Sequence, residues 1–475
     1  MLLIKIIYIL ISLSFIYSQS YFDRIIGGDV HFGDARSMGL ANSYTTTGST
    51  SSVTSRNPAR LSYLDTGNNG FLFDFQFNLR SYYERRSINI LDSFGDFLTE
   101  TDYVSNQHGH SYNSIGFIVN RKNPLVDNVS IGLGLSLMPL ASFNYHYEEE
   151  VRFQNMDIDT PGDIGIVDAT LGFHVYSNKG TINLASLGFG LSIDKYSKGN
   201  PISFGFSINQ LLSTTITDKI IVDTLYNTID PSVYNNLSNF ETDVNSIKTK
   251  TKYYPTYSIE LPISASGKNS MVFAFEPKSF ILDNDINSNI SISNLSGLPW
   301  YLDYNSQTNM YNLKLYGTEY FKPKKITFGL RVNQMQTSGS LMIFEFVKEY
   351  YKNYHEFSYI IDDTELGIFK LKDIYNYKFA FEHKFRLGPS IRMGLAYKTS
   401  MINLLSPIGQ FTMGSNKKIN KNLDIDFALS YYITSYRYDD IFPSSMPSNQ
   451  TNCNEYCEKI NESNMTISTT FKWEF

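Results

Sequence analysis

The sequence predicts an all-β protein, a transmembrane antiparallel β-barrel of about 14 strands (14 to 16) with an N-terminal hatch or plug in its lumen. Three observations lead to this prediction. The last eleven residues alternate strictly between apolar and polar side chains and end on an aromatic residue. The first 20 residues have the composition of a secretory signal, and alternating segments recur along the rest of the chain.

The C-terminal segment has the side-chain period of a β-strand. Met465 and Ile467 fall on the same face as Phe471, Trp473 and Phe475, whereas the intervening residues are mostly polar. A period of two is that of a strand, and about ten residues suffice for a tilted strand to cross a bilayer. The three aromatic residues resemble the assembly signal in the closing strand of bacterial outer-membrane barrels. Outer-membrane lipid and the barrel assembly machinery are therefore the expected partners.

Residues 1–20 predict a cleaved signal peptide. Lys5 precedes an apolar core, and Ser18 and Ser20 occupy the small-residue positions, so cleavage is expected after Ser20. The alternative, a membrane anchor, is disfavoured because the apolar stretch is shorter than the roughly 20 residues of a spanning helix. The predicted location is the bacterial cell outer membrane.

Composition agrees with a barrel. The 475 residues include 35 Tyr and 34 Phe, which aromatic girdles and an apolar outer wall would use. After residue 20 there is no apolar run of 18 residues, which disfavours a helical membrane protein. The net charge of −6, with both signs spread along the chain, gives no cationic footprint for nucleic acid.

Alternating segments predict the strands. The clearest lie at 71–79, 129–137, 187–193, 202–208, 326–332, 377–385, 391–397 and 423–433. A soluble β-sandwich would show the same pattern, but the signal peptide and the terminal Phe475 favour a barrel. The weakly alternating stretch 212–228 decides between 14 and 16 strands.

Turn chemistry predicts the strand directions. Short connections at 121–124, 177–180, 266–269, 322–325, 387–390 and 416–420 are expected to be periplasmic turns. Long segments at roughly 86–110, 144–164, 228–250, 283–308, 338–372 and 438–464 are then expected to be extracellular loops. Because both chain ends would be periplasmic, the strand number must be even.

The chain is predicted to have three parts: a signal peptide at 1–20, a hatch at 21–66 and the barrel at 67–475. The hatch segment does not alternate and is rich in Gly, Ser and Thr. A large barrel leaves an aqueous channel unless something fills it. Four glycines on the inward face of two strands, Gly132, Gly134, Gly188 and Gly190, either give room to the hatch or relieve wall curvature.

Two motifs in the hatch segment resemble a known family. The segment Gly33-Asp-Ala-Arg-Ser-Met-Gly-Leu-Ala41 is followed by Arg56-Asn-Pro-Ala59. Together they resemble the hatch of the outer-membrane long-chain fatty acid transporter family, the FadL-like and TodX-like proteins, with PorV-type barrels as the second choice. The resemblance assigns these hatch residues: Arg36, Ser37, Met38, Gly39, Asn57, Pro58 and Ala59. Pro58 would fix a bend at the hatch exit, although an ordinary turn into the first strand is the alternative.

The resemblance implies passive uptake of hydrophobic small molecules of the long-chain fatty acid or hydrocarbon type. The alternative is a PorV-type barrel that docks secreted proteins without transporting anything. A general porin is a third reading, and it would require a mobile or absent plug. The expected partner is thus a hydrophobic ligand or a secreted protein.

The sequence does not indicate an enzyme, a cofactor or a metal site. No Ser, His and acid arrangement stands out among the seven histidines, and His108 with His110 would supply only two metal ligands. Cys453 and Cys457 are expected to form a disulfide in an oxidising compartment. Charged residues of both signs are expected to face the lumen and hold the hatch: Arg331, Lys378, Glu382, Lys384, Arg392, Lys398, Asp424 and Asp426.

Overall fold

The computed structural model describes most of the chain after residue 26. The described residues are 27–30, 33–94, 96–122, 128–152, 170–194, 201–224, 240–263, 269–280, 302–305, 310–313, 321–334, 339–352, 357–361, 364–369, 372–386, 388–401, 405–438 and 458–475. The predicted signal peptide lies outside the described residues, as do Cys453, Cys457 and their predicted disulfide.

Fourteen antiparallel strands form a closed barrel, which confirms the predicted fold class. With all strands numbered in chain order, the barrel strands are β2 (Phe71–Leu91), β3 (Phe97–Lys122), β4 (Val129–Ser142), β7 (Thr181–Ile193), β8 (Ile202–Leu211), β11 (Lys252–Pro262), β12 (Ser270–Glu276), β17 (Lys324–Gln334), β18 (Ser340–Tyr350), β21 (Ile374–Lys384), β22 (Ser390–Lys398), β23 (Ile408–Lys418), β24 (Leu423–Tyr438) and β25 (Glu458–Glu474). Pairing of β25 with β2, which sets Phe471 opposite Phe75, closes the ring.

The outer wall is apolar because alternate side chains of each strand point away from the lumen. Large apolar side chains such as Leu133, Leu187 and Leu395 are more than half exposed there. An aromatic band includes Phe71 and Phe475, whose rings are 5.5 Å apart, and Phe73 and Trp473, at 5.6 Å. Such an apolar wall bordered by aromatic rings is that of a membrane-spanning barrel.

The two ends of the barrel differ. At the turn end, where β2 begins and β25 ends, short connections join the strands. At the loop end, four of the connections are long and contain further strands, namely those after β4, β8, β12 and β18. The expected turns at 177–180 and 322–325 were assigned to the wrong end, because β7 and β17 both start at the loop end. The expected loop at 338–372 is also wrong in part, since β18 occupies 340–350. The segment 86–110 continues as β2 and β3 strand on both sides of a tip at 92–96.

The loop end carries its own β-structure. A four-stranded sheet contains β5 (Tyr145–Arg152), β6 (Thr170–Lys179), β9 (Thr215–Thr224) and β10 (Phe240–Lys248). Three two-stranded pairs are β13 (Ser279–Phe280) with β16 (Phe321–Lys322), β14 (Leu302–Asn305) with β15 (Met310–Leu313), and β19 (Phe357–Ile361) with β20 (Thr364–Phe369). The ambiguous stretch 212–228 includes β9, which belongs to this sheet, so the barrel has 14 strands and not 16.

The lumen is filled by the N-terminal segment from residue 33 to residue 66. It contains α1 (Ala35–Gly39), α2 (Tyr44–Thr47), α3 (Val53–Arg56) and a 3-10 helix (Pro58–Ser62). Before it, β1 (Gly28–Asp29) pairs with the barrel strand β4. Most side chains of this segment, which we call the hatch, are buried. Among the described helices, none has the length and apolar character needed to span a membrane.

Candidate functional site

A chain of buried and partly buried ion pairs fastens the hatch at the turn end of the lumen. Arg36 of α1 pairs with Glu382 at 2.6 Å, and Glu382 also pairs with Arg392 at 2.7 Å. Arg392 continues to Asp426 at 2.6 Å, and Asp426 pairs with Lys472 at 2.8 Å. The chain therefore joins the hatch to strands β21, β22, β24 and β25. Every charged group in this chain of pairs therefore has a partner of opposite sign, as buried charges require.

A second ion-pair group fastens the hatch toward the loop end. Arg56 Nη1 lies 2.9 Å from Glu276 Oε1, and Lys322 Nζ lies 2.9 Å from the other carboxylate oxygen. Lys322 Nζ also lies 4.3 Å from the centre of the Tyr254 ring. Burial lowers the pKa of Lys322 to about 8, against the raising effect of the Glu276 carboxylate. The hatch is thus linked through Glu276 to a lysine of the loop-end strand β16.

Side chains of the wall also satisfy backbone groups of the hatch. Asp74 accepts hydrogen bonds from the Ser51 amide at 2.7 Å and the Ser51 hydroxyl at 2.9 Å. The Ala35 amide donates to Thr470 Oγ1 at 2.8 Å. The hatch helices have only four or five residues, so most of their amides find no partner within the helix. Wall side chains supply some of these partners and thereby define the position of the hatch.

The four glycines singled out in the sequence all lie against the hatch. A methyl group added at Gly190 would be 2.6 Å from the Pro58 carbonyl oxygen, and one at Gly188 would be 2.8 Å from Thr54 Cγ2. A methyl group at Gly132 or Gly134 would collide with Leu61 or Thr54. The hatch backbone therefore occupies the space that side chains would otherwise take at these positions.

The other hatch residues named from the resemblance fall in two places. In α1, Ser37 donates its amide to the Asp34 cap at 2.6 Å, and Met38 packs against Ala428. Gly39 lies against the backbone of Gly414 on β23.

At the exit of the hatch, Asn57 donates from Nδ2 to the Thr45 carbonyl at 2.8 Å. Pro58 starts a 3-10 helix rather than a simple bend, and the Ala59 amide donates to Ser258 Oγ at 2.9 Å. The residues named from the resemblance therefore contribute to packing, ion pairing and hydrogen bonding of the hatch.

A chamber of about 170 Å³ lies on the loop-end side of the hatch. Two carboxylates, Glu345 and Glu349, line it. They are outnumbered by five cationic side chains, which are Arg56, Arg80, Lys325, Lys378 and Lys398. Glu345 accepts from the Thr46 amide of the hatch at 2.9 Å and pairs with Lys378 at 2.8 Å. The lining of the chamber is therefore cationic in sum.

Beside this chamber the lumen wall carries a buried apolar cluster, which is unusual on the inward face of a barrel. Its members come from β3, β4, β7, β8, β9, β11 and the residues that directly follow β1 and β4. They are Val30, Tyr112, Met138, Leu140, Ala141, Phe143, Ile182, Leu184, Leu211, Ile216 and Tyr254. Tyr44 of the hatch packs against the cluster. An apolar surface thus borders both the hatch and the cationic chamber.

The wall is split where this cluster lies. β3 and β4 pair from Lys122 and Ser130 only as far as Ile115 and Leu137. Beyond that point β7 still occupies one edge of β4, and on the other edge β1 pairs with β4, with Gly28 opposite Ser142. Gly28 and Asp29 of the N-terminal segment therefore pair with β4 along the part of its edge where β3 no longer does.

A groove on the outer wall begins where the pairing of β3 with β4 ends. It has a volume of about 530 Å³, and its lining is mostly apolar. Ile115 and Leu137, the last paired residues of β3 and β4, are part of that lining. The split therefore has the apolar cluster on its inner side and an apolar groove on its outer side.

Sequence reasoning missed the split and the apolar cluster. The run Leu137-Met-Pro-Leu-Ala141 breaks the alternation of β4, and Pro139 removes a backbone donor from the strand. The pairing register shifts between Pro139 and Ala141. This run was the signal in the sequence for an apolar patch facing inward at an interrupted strand.

Five of the seven histidines lie among the residues that the structure describes. The rings of His108 and His146 are 5.0 Å apart, and His110 Nε2 lies 3.2 Å from the Asn144 side-chain amide. Among the described residues, no group of three or more His, Cys, Asp or Glu side chains is arranged to hold a metal ion.

No protein-family model and no curated protein sequence matches the chain. Solved structures do match it over nearly its whole length. A FadL homologue from Pseudomonas aeruginosa has a TM-score of 0.56 and 11% identity, covering 94% of this chain and 100% of that one. The toluene transporter TodX from Pseudomonas putida has a TM-score of 0.55 and 11% identity, with 94% and 99% covered.

CymD, a monoaromatic hydrocarbon channel, has a TM-score of 0.50 and 10% identity, covering 94% of this chain and 98% of that one. Identity at this level establishes architecture only, since one architecture hosts many functions. The likeness nevertheless agrees with the resemblance found in the two hatch motifs. The chain has the plugged 14-stranded barrel fold of the FadL and TodX structures.

Proposed function

We propose that the protein is an outer-membrane channel, not an enzyme, for passive uptake of hydrophobic small molecules. Its structural neighbours include a toluene transporter and a monoaromatic hydrocarbon channel. The loop end would face the exterior and the turn end the periplasm. The observation that carries the proposal is the split between β3 and β4, with an apolar cluster behind it and an apolar groove in front of it.

The split offers a route that does not require the hatch to leave. Passage straight through the barrel would break the partly buried Arg36–Glu382 pair and the buried Arg56–Glu276 pair. Removing one partner of a buried pair costs about 3–5 kcal/mol. The backbone pairing that opening the split would break is the short β1–β4 ladder of Gly28 and Asp29. An apolar ligand would therefore move from the cluster sideways into the lipid.

The chamber next to the cluster indicates the chemical class of the ligand. A hydrocarbon tail would fit the cluster around Tyr254 and Met138, while an acidic head group would face the cations of the chamber, such as Arg80 and Lys398. A neutral hydrocarbon would leave those cations without a role in binding. The arrangement favours an amphipathic acid of the fatty acid type.

A reversible cross-link tests the route. Gly28→Cys with Ser142→Cys joins β1 to β4, in a background where Cys453 and Cys457 are serine, so that no other thiol competes. Oxidation should stop uptake of a labelled long-chain fatty acid by cells, and a reductant should restore it.

The matched control joins two strands of the intact wall. Ser130→Cys with Ser192→Cys links β4 to β7, which are paired at this position. Its oxidation should leave uptake unchanged. Normal uptake with a fully oxidised β1–β4 link, verified by mass spectrometry, would eliminate the lateral route.

A second candidate function rests on the hairpin formed by β2 and β3. At its tip Phe94 is 89% exposed, and Phe97 and Leu98 are each about 60% exposed. Apolar side chains exposed together mark interaction sites. This favours the PorV-type alternative, a barrel that docks secreted proteins.

Mass spectrometry of material copurified in mild detergent distinguishes the docking function from the uptake function. A stoichiometric protein lost in a Phe94→Ser/Leu98→Ser variant supports docking, and a bound fatty acid supports uptake.

A further inference from the structure

Two neighbouring turns at the turn end form a basic patch. One turn joins β21 to β22 and the other joins β23 to β24. The patch consists of five exposed cationic residues: Lys384, Arg386, Lys417, Lys418 and Lys421. Residues 384–390 and 415–422 contain no Asp or Glu, although the whole chain carries a net charge of −6. The local charge therefore departs sharply from the average of the molecule.

The patch is not used to hold the hatch. Cations deeper in the lumen, such as Arg392 and Lys472, pair with wall carboxylates. No ion pair within 4 Å joins any of the five patch residues to a carboxylate in the part of the chain that the structure describes. Their charges remain available to an external anion.

Strand register gives the depth of the patch in the membrane. Lys417 is opposite Ile425, and Ile425 is opposite Phe471, which stacks on Trp473. The patch is therefore level with the aromatic band that marks the membrane–water interface. Two apolar side chains stand among the cations, Phe385 at 44% exposure and Ile419 at 49%.

We propose that this patch binds the phosphate head group of an anionic phospholipid in the adjoining leaflet. Three features select a lipid over an acidic protein: the interface depth, the exposed Phe385 and Ile419 that would contact acyl chains, and the position on the rim of the membrane wall. Lysine and arginine near an anionic membrane surface each contribute about fivefold in affinity. The proposal does not depend on which molecule the channel carries.

The test compares two triple variants of the full chain. Arg386→Gln/Lys417→Gln/Lys421→Gln removes three patch charges. The matched control neutralises three exposed lysines of the loop end, Lys252, Lys352 and Lys372. Binding of phosphatidylglycerol and of phosphatidylcholine to detergent-solubilised protein is measured by native mass spectrometry. The patch variant, which lacks three charges, should lose on the order of a hundredfold in phosphatidylglycerol affinity, and the control should keep it.

Several outcomes would overturn the proposal. Equal loss in both variants would mean a general charge effect, and equal binding of the two lipids by the natural protein would mean that the head group is not recognised. Complete competition by free glycerol phosphate at equal concentration would show that a soluble phosphate, not a lipid, is the ligand. Displacement of lipid by an acidic peptide at lower concentration would reassign the patch to a protein partner. Thermal unfolding checks that both variants fold.

Discussion

Replacing Gly190 by alanine should loosen the hatch in the barrel. The added methyl group would lie 2.6 Å from the Pro58 carbonyl oxygen, 3.0 Å from the Ser62 amide nitrogen and 3.1 Å from Leu61 Cβ. An ordinary contact begins at 3.4 Å, so the Pro58 carbonyl would have to withdraw by about 0.8 Å. The 3-10 helix is held in place by the neighbouring hydrogen bond from the Ala59 amide to Ser258, so this movement disturbs more than one contact.

The expected cost is that of overpacking a filled interior, about 1–3 kcal/mol. It falls on the seated hatch and not on the wall, because the obstructing atoms all belong to the hatch. The equilibrium between seated and displaced hatch should therefore shift by roughly fivefold to 150-fold. In planar bilayers the variant should show more frequent ion-conducting events, and hatch amides should exchange hydrogen faster.

The matched control is Gly409→Ala on β23, where an added methyl group has no neighbour within 4 Å. Both variants change strand propensity and unfolded-chain entropy in the same way, so their difference isolates the contact with the hatch. If Gly190→Ala and Gly409→Ala gave the same conductance and the same exchange rates, the hatch would not lie against β7 as described.

Further predictions concern the anchors of the hatch. Arg56→Met should lower the free energy of unfolding by roughly 3 kcal/mol, the lower end for a broken buried pair because Lys322 still faces Glu276. Adding both Glu276→Met and Lys322→Met, which removes all three charges, should recover part of this loss in denaturant melts. Burial lowers the pKa of Lys322 from 10.5 to about 8, so between these values the unfolded chain binds more protons. Stability of the natural protein should therefore rise relative to Lys322→Met from pH 8 to 10.5, and parallel melting curves across this window would contradict the assignment. Asp34→Ala removes the side chain that caps α1 and accepts a hydrogen bond from the Ser37 amide at 2.6 Å. It should lower the stability of α1 by about 0.5–2 kcal/mol. Hydrogen exchange should then become faster in α1, with the barrel amides unchanged.

The parts of the fold that depend on local pattern were predictable from the sequence. Alternation around Phe471 identified a spanning strand, and the inward positions of Gly132 and Glu382 followed from the same period of two. The end of the barrel at which a turn lies was not predictable in the same way. A tight connection such as that before Gly180 looks alike at either end, and only the pairing of distant strands distinguishes them.

The site itself depends on contacts far apart in sequence. Charge in the lumen was expected from Glu382, but its pairing with Arg36 joins residues 346 positions apart. The divergence of β3 from β4 depends on a register that no local motif encodes, apart from the interruption at Pro139. Single-sequence patterns therefore located the wall and the hatch, whereas the split and the anchors required the three-dimensional structure.

The position of the hatch at the start of the chain has a consequence for assembly. The hatch contacts both strands of the seam between the first and the last barrel strand, since Ser51 bonds to Asp74 on β2 and Ala35 bonds to Thr470 on β25. A ring that sealed first would enclose Glu276 without Arg56 and Glu382 without Arg36. We therefore expect the hatch to enter the lumen before β25 pairs with β2, so that the barrel closes around it.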